Sequence, residues 1–263
     1  MIDLHTHILP SLDDGAGDWD EALEMARLAC ADGIETVVAT PHVLPGLYDN
    51  KRDAILKAVK DFNQLLSERR VPLRVLPGGE YRLDSGLPER LAGGELLTVN
   101  DGGRYLLLEF PSDFIPAHAG RIIYELLLQG VAAVIVHPER NAALVRSPDI
   151  LLDMVEKGAL AQVTAGSLTG LYGRSAAAAA AQLIRAGAVH FVASDAHSTK
   201  RRPPVLSGAV SALSRLCGRE TADLLVCRNP AAAINSLPVE APGPLPPAQK
   251  NKSWFSLFTD RYK

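Results

Sequence analysis

The stretch "VAAVIVHPER" (131–140) runs through six apolar residues and then turns polar at His137, Glu139 and Arg140. A half-buried strand alternates apolar and polar residues. An unbroken apolar run fits a strand covered on both faces, as in a parallel sheet flanked by helices. Other runs read the same way: "IDLHTH" (2–7), "TVVAT" (36–40), "LRVLPGGEY" (73–81), "YLLLEF" (105–110), "LAQVTAG" (160–166) and "VHFVASDAH" (189–197). Helical spacing fills the intervals. In "DWDEALEMARLACADG" (18–33), Asp18 is the N-cap with Glu21 three residues on. Ala22, Met25, Ala26 and Ala29 share a face, and Gly33 marks the stop. "NKRDAILKAVKDFNQLLSERR" (50–70) and "SAAAAAAQLIRAG" (175–187) follow the same logic, the alanine run 176–181 reading as a packed helix.

Seven β–α repeats predict an α/β fold with a parallel sheet, either a closed or nearly closed (β/α)7 barrel or an open doubly wound sheet. The polar residues favour the barrel. His5 and His7 end the first strand, two residues apart and so on one face. His42 follows the second, Glu80 ends the third, Glu109 the fourth and His137 the fifth. Asp195 and His197 end the seventh, and Asp14 sits in the loop after the first. The C-terminal ends of barrel strands are where such folds build active sites.

Any one of these residues alone reads as a structural histidine or a surface acid. Together they crowd carboxylates onto one rim, which is costly unless cations lie between them. Five histidines and four carboxylates exceed the three protein ligands of a catalytic zinc. They suit two or three ions sharing carboxylates, and mixed nitrogen and oxygen ligation without sulfur fits manganese, iron or zinc. His118 and His190 have no such partners nearby in sequence and read as structural or surface residues.

The set "DLHTHILPSLDDG", "TPH", "GGEY", "LLEFP", "HPERN" and "SDAH" resembles the PHP (polymerase and histidinol phosphatase) superfamily. The match is nearest its bacterial tyrosine-protein phosphatase branch, the CpsB/CapC type, over roughly residues 1–235. The resemblance implies a distorted (β/α)7 TIM-like barrel, the PHP fold, with a trinuclear site usually supported by manganese. It implies removal of phosphate from tyrosines of a bacterial tyrosine kinase that controls capsule or exopolysaccharide export. Carried onto this chain, it puts His5, His7, Glu80 and Asp195 around one ion. Glu80 bridges to a second, also held by Glu109 and His137, and Asp14, His42 and His197 hold a third. Arg140 matches a phosphate-binding arginine, and a second such arginine is Arg201 or Arg202.

Other chemistries are excluded by reading. A cysteine phosphatase needs Arg six positions after its Cys, but Cys30, Cys217 and Cys227 are followed there by Thr36, Asp223 and Ala233. No Walker, dinucleotide or G-x-S-x-G motif is present. The formal net charge of −3 argues against a general nucleic-acid binder. Three scattered cysteines form no disulfide framework. No secretory signal pattern and no apolar run of about 18 residues is seen, so the sequence predicts a cytoplasmic protein. The competing readings are another phosphoesterase of the superfamily (a histidinol-phosphate phosphatase or a nuclease) and a noncatalytic, metal-stabilised scaffold.

Composition shifts after residue 237, which sets the expected boundary between a metallophosphatase domain, 1–237, and an appendage, 238–263. "PVEAPGPLPPAQ" (238–249) holds five prolines and reads as an extended linker. "KNKSWFSLFTDRYK" (250–263) is basic and aromatic. It reads as a disordered tail or as a docking segment for a partner or the membrane surface.

Overall fold

A computed structural model describes residues 1–245. The first apolar run forms β1 (Ile2–Thr6), followed by α1 (Trp19–Ala31). Asp18 caps α1 as the sequence predicts, its carboxylate accepting from the Glu21 backbone N–H at 2.8 Å. Next come β2 (Thr36–Ala39), β3 (His42–Val43) and α2 (Arg52–Glu68). Ile55, Val59, Phe62 and Leu66 recur at helical spacing on α2, and that buried stripe fixes it on the sheet. The chain continues through β4 (Arg74–Pro77), β5 (Glu80–Arg82), α3 (Leu87–Ala92), β6 (Tyr105–Glu109) and α4 (Ala119–Leu128). Then follow β7 (Ala132–Val136), α5 (Ala142–Arg146), α6 (Asp149–Glu156), β8 (Leu160–Thr164), α7 (Ala165–Leu168) and α8 (Gly173–Arg185). Finally come β9 (Phe191–Ala193), α9 (Ser207–Cys217), α10 (Arg219–Asp223) and α11 (Asn229–Ile234).

Every strand pair is parallel. Hydrogen bonding gives two sheets, ordered β1-β2-β4 and β3-β5-β6-β7-β8-β9. The division has a local cause. The predicted second strand ends as β2, and beyond Thr40–Pro41, where proline supplies no donor to the ladder, the chain adds the short β3 that the sequence did not predict. The third breaks between β4 and β5 at Gly78–Gly79, where a Cβ on Gly78 would meet Val38 Cγ1 at 2.8 Å. Seven strand positions therefore give nine short strands. The Asp195 N–H donates to the His5 carbonyl at 2.9 Å and the His7 N–H to the Ala196 carbonyl at 2.8 Å. With the parallel bridge Thr6–Ala196, these bonds tie the last strand position to the first. The result is the distorted (β/α)7 arrangement.

Alternation along the strands separates two cores. Leu106 and Leu108 point outward and pack with Phe62, Ile122 and Leu126 in the layer between strands and helices. Tyr105 and Leu107 point inward and meet Leu4, Val38, Leu76, Val134 and Phe191. Val99, Ala233 and Ile234 close the bottom of this interior. The upper interior is left for the polar strand ends.

β1 carries one irregularity that matters. Its pairing with β2 runs Asp3 to Val37 and then Thr6 to Ala39, so β1 holds one extra residue there. Such a bulge re-aims side chains. It lets Leu4 join the apolar interior while His5 and His7 join the rim above it.

Residues 238–245 are held against the domain. The Asn229 side chain donates to the Glu240 carbonyl and accepts from its N–H, at 2.9 and 3.1 Å, and the Leu245 N–H donates to the Arg185 carbonyl at 2.9 Å. The packing thus continues beyond the boundary expected at 237. Residues 246–249 and the basic aromatic segment 250–263 lie outside the described residues. Among the described residues no helix is long and apolar enough to cross a membrane.

Candidate metal centre and active site

The nine residues singled out in the sequence, eight beside strand ends and Asp14 in a loop, converge on one rim. Ligand-capable atoms of His5, His7 and Glu80 lie within 4.8 Å of one another, as do those of His42, Glu80 and Glu109 and those of His7, Asp14, His42 and His197. Glu80, fully buried, is the hub. Its Oε1 stands 2.9 Å from His137 Nε2, and its Oε2 stands 3.3 Å from the Nε2 of both His5 and His7 and 2.8 Å from His42 Nδ1. Asp195 Oδ1 approaches His5 and His7 Nε2 at 3.4 and 3.5 Å. Glu109 reaches His137 at 3.9 Å, its other oxygen being held by Arg82 at 2.9 Å. Asp14 Oδ1 lies 3.5 Å from His42 Nε2 and 3.4 Å from His197 Nε2.

Two of these residues sit in backbone conformations that L-residues rarely adopt. His137 has φ 39° and Asp195 has φ 53°. Each is the point where an apolar strand must turn a polar side chain inward, and strain of this kind clusters at functional sites. Gly15 serves the same end, since a Cβ there would meet the His7 carbonyl at 2.1 Å. Only glycine lets the loop bearing Asp13 and Asp14 fold over His7.

The protein fixes which imidazole nitrogen faces the rim. His5 Nδ1–H donates to Gln162 Oε1 at 2.8 Å, His7 Nδ1–H to Asp13 Oδ2 at 2.6 Å, and His197 Nδ1–H to the Asp195 carbonyl at 2.9 Å. In each case Nε2 is left to face the cluster. The Nε2 atoms of His5 and His7 lie 3.1 Å apart, while buried Glu80 Oε2 and His197 Nε2 make no hydrogen bond. Converging lone pairs and orphaned buried oxygens are what divalent cations satisfy, so the donor set fits a metal centre. The mixture of imidazole and carboxylate, without thiolate, excludes a soft-metal site.

The imidazoles and carboxylates of the rim also compensate one another's charge. Burial would push the Glu80 and Asp195 carboxyls up, but the imidazoles around them, with Arg202 beside Asp195, hold both well below the usual carboxylate range. Burial would push the His7 imidazole down, but Asp13 carries it well above its ordinary value. His197 goes the other way, to about 4, through burial and the neighbouring His7, and so presents a neutral nitrogen. Asp3, buried beneath the rim, is pushed by burial up to about 6. All three cysteine thiols are raised by burial, which disfavours the thiolate a cysteine mechanism requires.

Two guanidinium groups meet at the rim. Arg140 and Arg202 both donate to Asp195 Oδ2, Arg202 at 2.7 Å. Arg201, the other predicted candidate, is exposed and makes no such contact. Glu139 does not pair with its neighbour Arg140. It turns inward to accept from the Thr164 N–H and the Ser167 hydroxyl at 3.0 and 2.6 Å. Arg140 lies instead over the Tyr172 ring, 4.5 Å from its centroid. His190 is buried and accepts from the Ala161 N–H at 3.2 Å, and His118 is exposed before α4, so both stand apart from the rim.

Sequence reading missed Asp13, Gln162 and Tyr172. Gln162 carried a usable signal, being the one amide in the apolar run "LAQVTAG". Asp13 was masked by its neighbour Asp14, and Tyr172 lies in a loop with no periodicity to place it.

A parallel barrel whose strand ends gather imidazoles, carboxylates and two arginines defines a class, the metal-dependent hydrolases. Within it, the chain belongs to the CpsB/CapC family, described as "Capsular polysaccharide synthesis, CpsB/CapC", whose model matches residues 1–235. It is 44% identical over 220 residues to the tyrosine-protein phosphatase YwqE of Bacillus subtilis, covering 84% of this chain and 86% of that one. It is 28% identical over 243 residues to the tyrosine-protein phosphatase CpsB of Streptococcus pneumoniae, covering 89% and 98%. A crystal structure from work on YwqE and CpsB, described there as unique metal-dependent tyrosine phosphatases, superposes with a TM-score of 0.90. It is 41% identical and covers 94% of this chain and 99% of that one. The lactonase Lmo2620 of Listeria monocytogenes, 13% identical with a TM-score of 0.54 over 89% of this chain and 94% of that one, shares the fold alone.

Proposed function

We propose that this chain is a metal-dependent protein-tyrosine phosphatase of capsule or exopolysaccharide synthesis, acting on a tyrosine-phosphorylated bacterial tyrosine kinase in the cytoplasm. The observation that carries this reading is the convergence of nine candidate ligands beside two arginines that share one carboxylate oxygen. Family membership supports the substrate class. The ligands are His5, His7, Asp14, His42, Glu80, Glu109, His137, Asp195 and His197. They hold three divalent ions, manganese by preference with iron or zinc as substitutes, in the grouping that the family resemblance implies. The catalytic unit is the 1–237 domain, and 238–263 adds a docking segment for a partner or the membrane surface.

When bound, the ions supply positive charge and an acidified water, both of which phosphomonoester hydrolysis needs. The chain's own residues do the rest. Gln162 and Asp13 hold His5 and His7 in the tautomer that faces the rim. Arg140 and Arg202 receive the phosphoryl oxygens, whose charge grows in a loose transition state. The phenolate leaving group has a pKa of about 10, so it departs with less proton assistance than an alkoxide, which favours phosphotyrosine. The test is phosphate release from a phosphotyrosine peptide with added manganese, beside a chelated control. Chelator-sensitive release is expected, and absence of release from a folded, metal-loaded sample would overturn the reading.

A further inference from the structure

A cleft of about 480 Å³ opens beside the metal rim, between the chain around α7 and the loop leading into α9. Lys200, Arg201, Arg202 and Val205 of the loop line it, together with Leu171 and Tyr172 from the chain after α7, and no carboxylate lines it. On a chain of net charge −3, three consecutive cations facing a carboxylate-free cleft stand out. Arg202 is anchored on Asp195, but its Nε and the Tyr172 hydroxyl are buried without a hydrogen-bond partner. Lys200 and Arg201 are exposed, and among the described residues neither makes an ion pair. Leu171 and Val205 are exposed apolar side chains at 54% and 37%. The cleft therefore offers two cations without an ion pair and an apolar wall, and it borders the candidate active site through Arg202 and Ser194.

From this juxtaposition we propose that the cleft is a substrate subsite for a second anionic side chain, a carboxylate or a phosphoryl group, on the same peptide as the phosphotyrosine. A single inorganic anion would leave most of a cleft this size empty. A short stretch of peptide fills it, with its aliphatic atoms against Leu171 and Val205 and its anion on Lys200 and Arg201. Arg202 faces both the rim and the cleft, so the two anions lie on either side of one guanidinium. Cations placed this way select among peptides more than they raise affinity for all of them.

This inference rests on the phosphatase reading, and the experiment separates the two. The metal-loaded full chain is assayed by tyrosine fluorescence on three phosphotyrosine peptides that differ only in whether glutamate, phosphoserine or glutamine flanks the phosphotyrosine. Para-nitrophenyl phosphate, which has no flanking chain, serves as reference. Expected is a kcat/KM about tenfold higher for the anionic peptides than for the glutamine peptide. Lys200→Gln is expected to cut that preference roughly threefold while para-nitrophenyl phosphate hydrolysis holds. Equal rates on glutamate and phosphoserine peptides assign a site for any anion, and a preference for phosphoserine alone assigns a phosphoryl site. Turnover without discrimination, or an equal loss on all substrates in Lys200→Gln, overturns the subsite and leaves the phosphatase standing. No turnover of any phosphotyrosine substrate overturns both.

Discussion

In β6, Tyr105 and Leu107 face the barrel interior among apolar neighbours, whereas Glu109, two residues on along the same face, meets His137 and Arg82. β8 repeats the change over a shorter distance, with Leu160 low in the apolar interior and Gln162 beneath His5. One set of strands therefore builds a lower interior held by removal of apolar surface and an upper interior held by charge compensation. The lower half tolerates imprecision, because apolar contacts have no direction. The upper half does not, because each buried carboxylate depends on several imidazoles at fixed distances.

The comparison is broken most sharply at the top. Asp195→Ala or His137→Ala is expected to reduce turnover below about a thousandth of wild type with manganese saturating, while circular dichroism keeps the native spectrum. Wild-type-like rates in either variant would remove the upper half from the chemistry. One step back from the rim, Asp13→Ala is expected to weaken metal binding about 10- to 100-fold by direct titration, because His7 loses the partner that orients it. Gln162→Ala acts on His5 in the same way. In the lower half, Leu107→Ala is expected to cost about 2–5 kcal/mol in denaturant unfolding, with turnover per folded molecule unchanged.

Two smaller effects sharpen the picture away from the rim. Burial pushes the His190 imidazole from 6.5 down to about 4, and its Nδ1 accepts a backbone hydrogen bond, so the native state holds it neutral. The unfolded state takes up a proton first as pH falls. Stability from this residue is complete above pH 6.5 and is lost toward pH 4. His190→Asn is expected to flatten the urea-stability profile in that window by on the order of 3 kcal/mol relative to wild type. Smallest of all, a chain ending at Leu245 is expected to hydrolyse an aryl phosphate at the wild-type rate. One ending at Leu237 melts a few degrees lower, having lost the bonds to Asn229 and Arg185.

The lower half and the gathering of candidate ligands at one rim were both legible in the sequence, and for one reason. An apolar run that ends in a histidine or a carboxylate states both where the strand is buried and where burial stops. Less was legible where side chains act through other side chains. Gln162 looks like a defect in an apolar strand until His5 stands above it. Arg201 and Arg202 are adjacent in a loop, where no period decides which one turns inward. The proline-rich run after residue 237 reads as a linker, but Glu240 is held by the Asn229 amide, a contact that composition does not encode. Gly78 was visible as a residue, but its effect, two strands where one was predicted, needed Val38 of the neighbouring β2 to be in place.

The seam between the first strand and the last lies within the active site itself. His5 and Asp195 are joined there by backbone as well as by side chains, across almost the whole length of the barrel sequence. A ribosome delivers His5 and His7 first and Asp195 and His197 long afterwards, so the nascent chain carries half a centre until its final strand emerges. The backbone bonds between His5 and Asp195 and between His7 and Ala196 close that long loop in one step, once the last strand position has been made. The centre thus assembles only once Asp195 and His197 have been made, and a chain terminated before them lacks two of its nine candidate ligands.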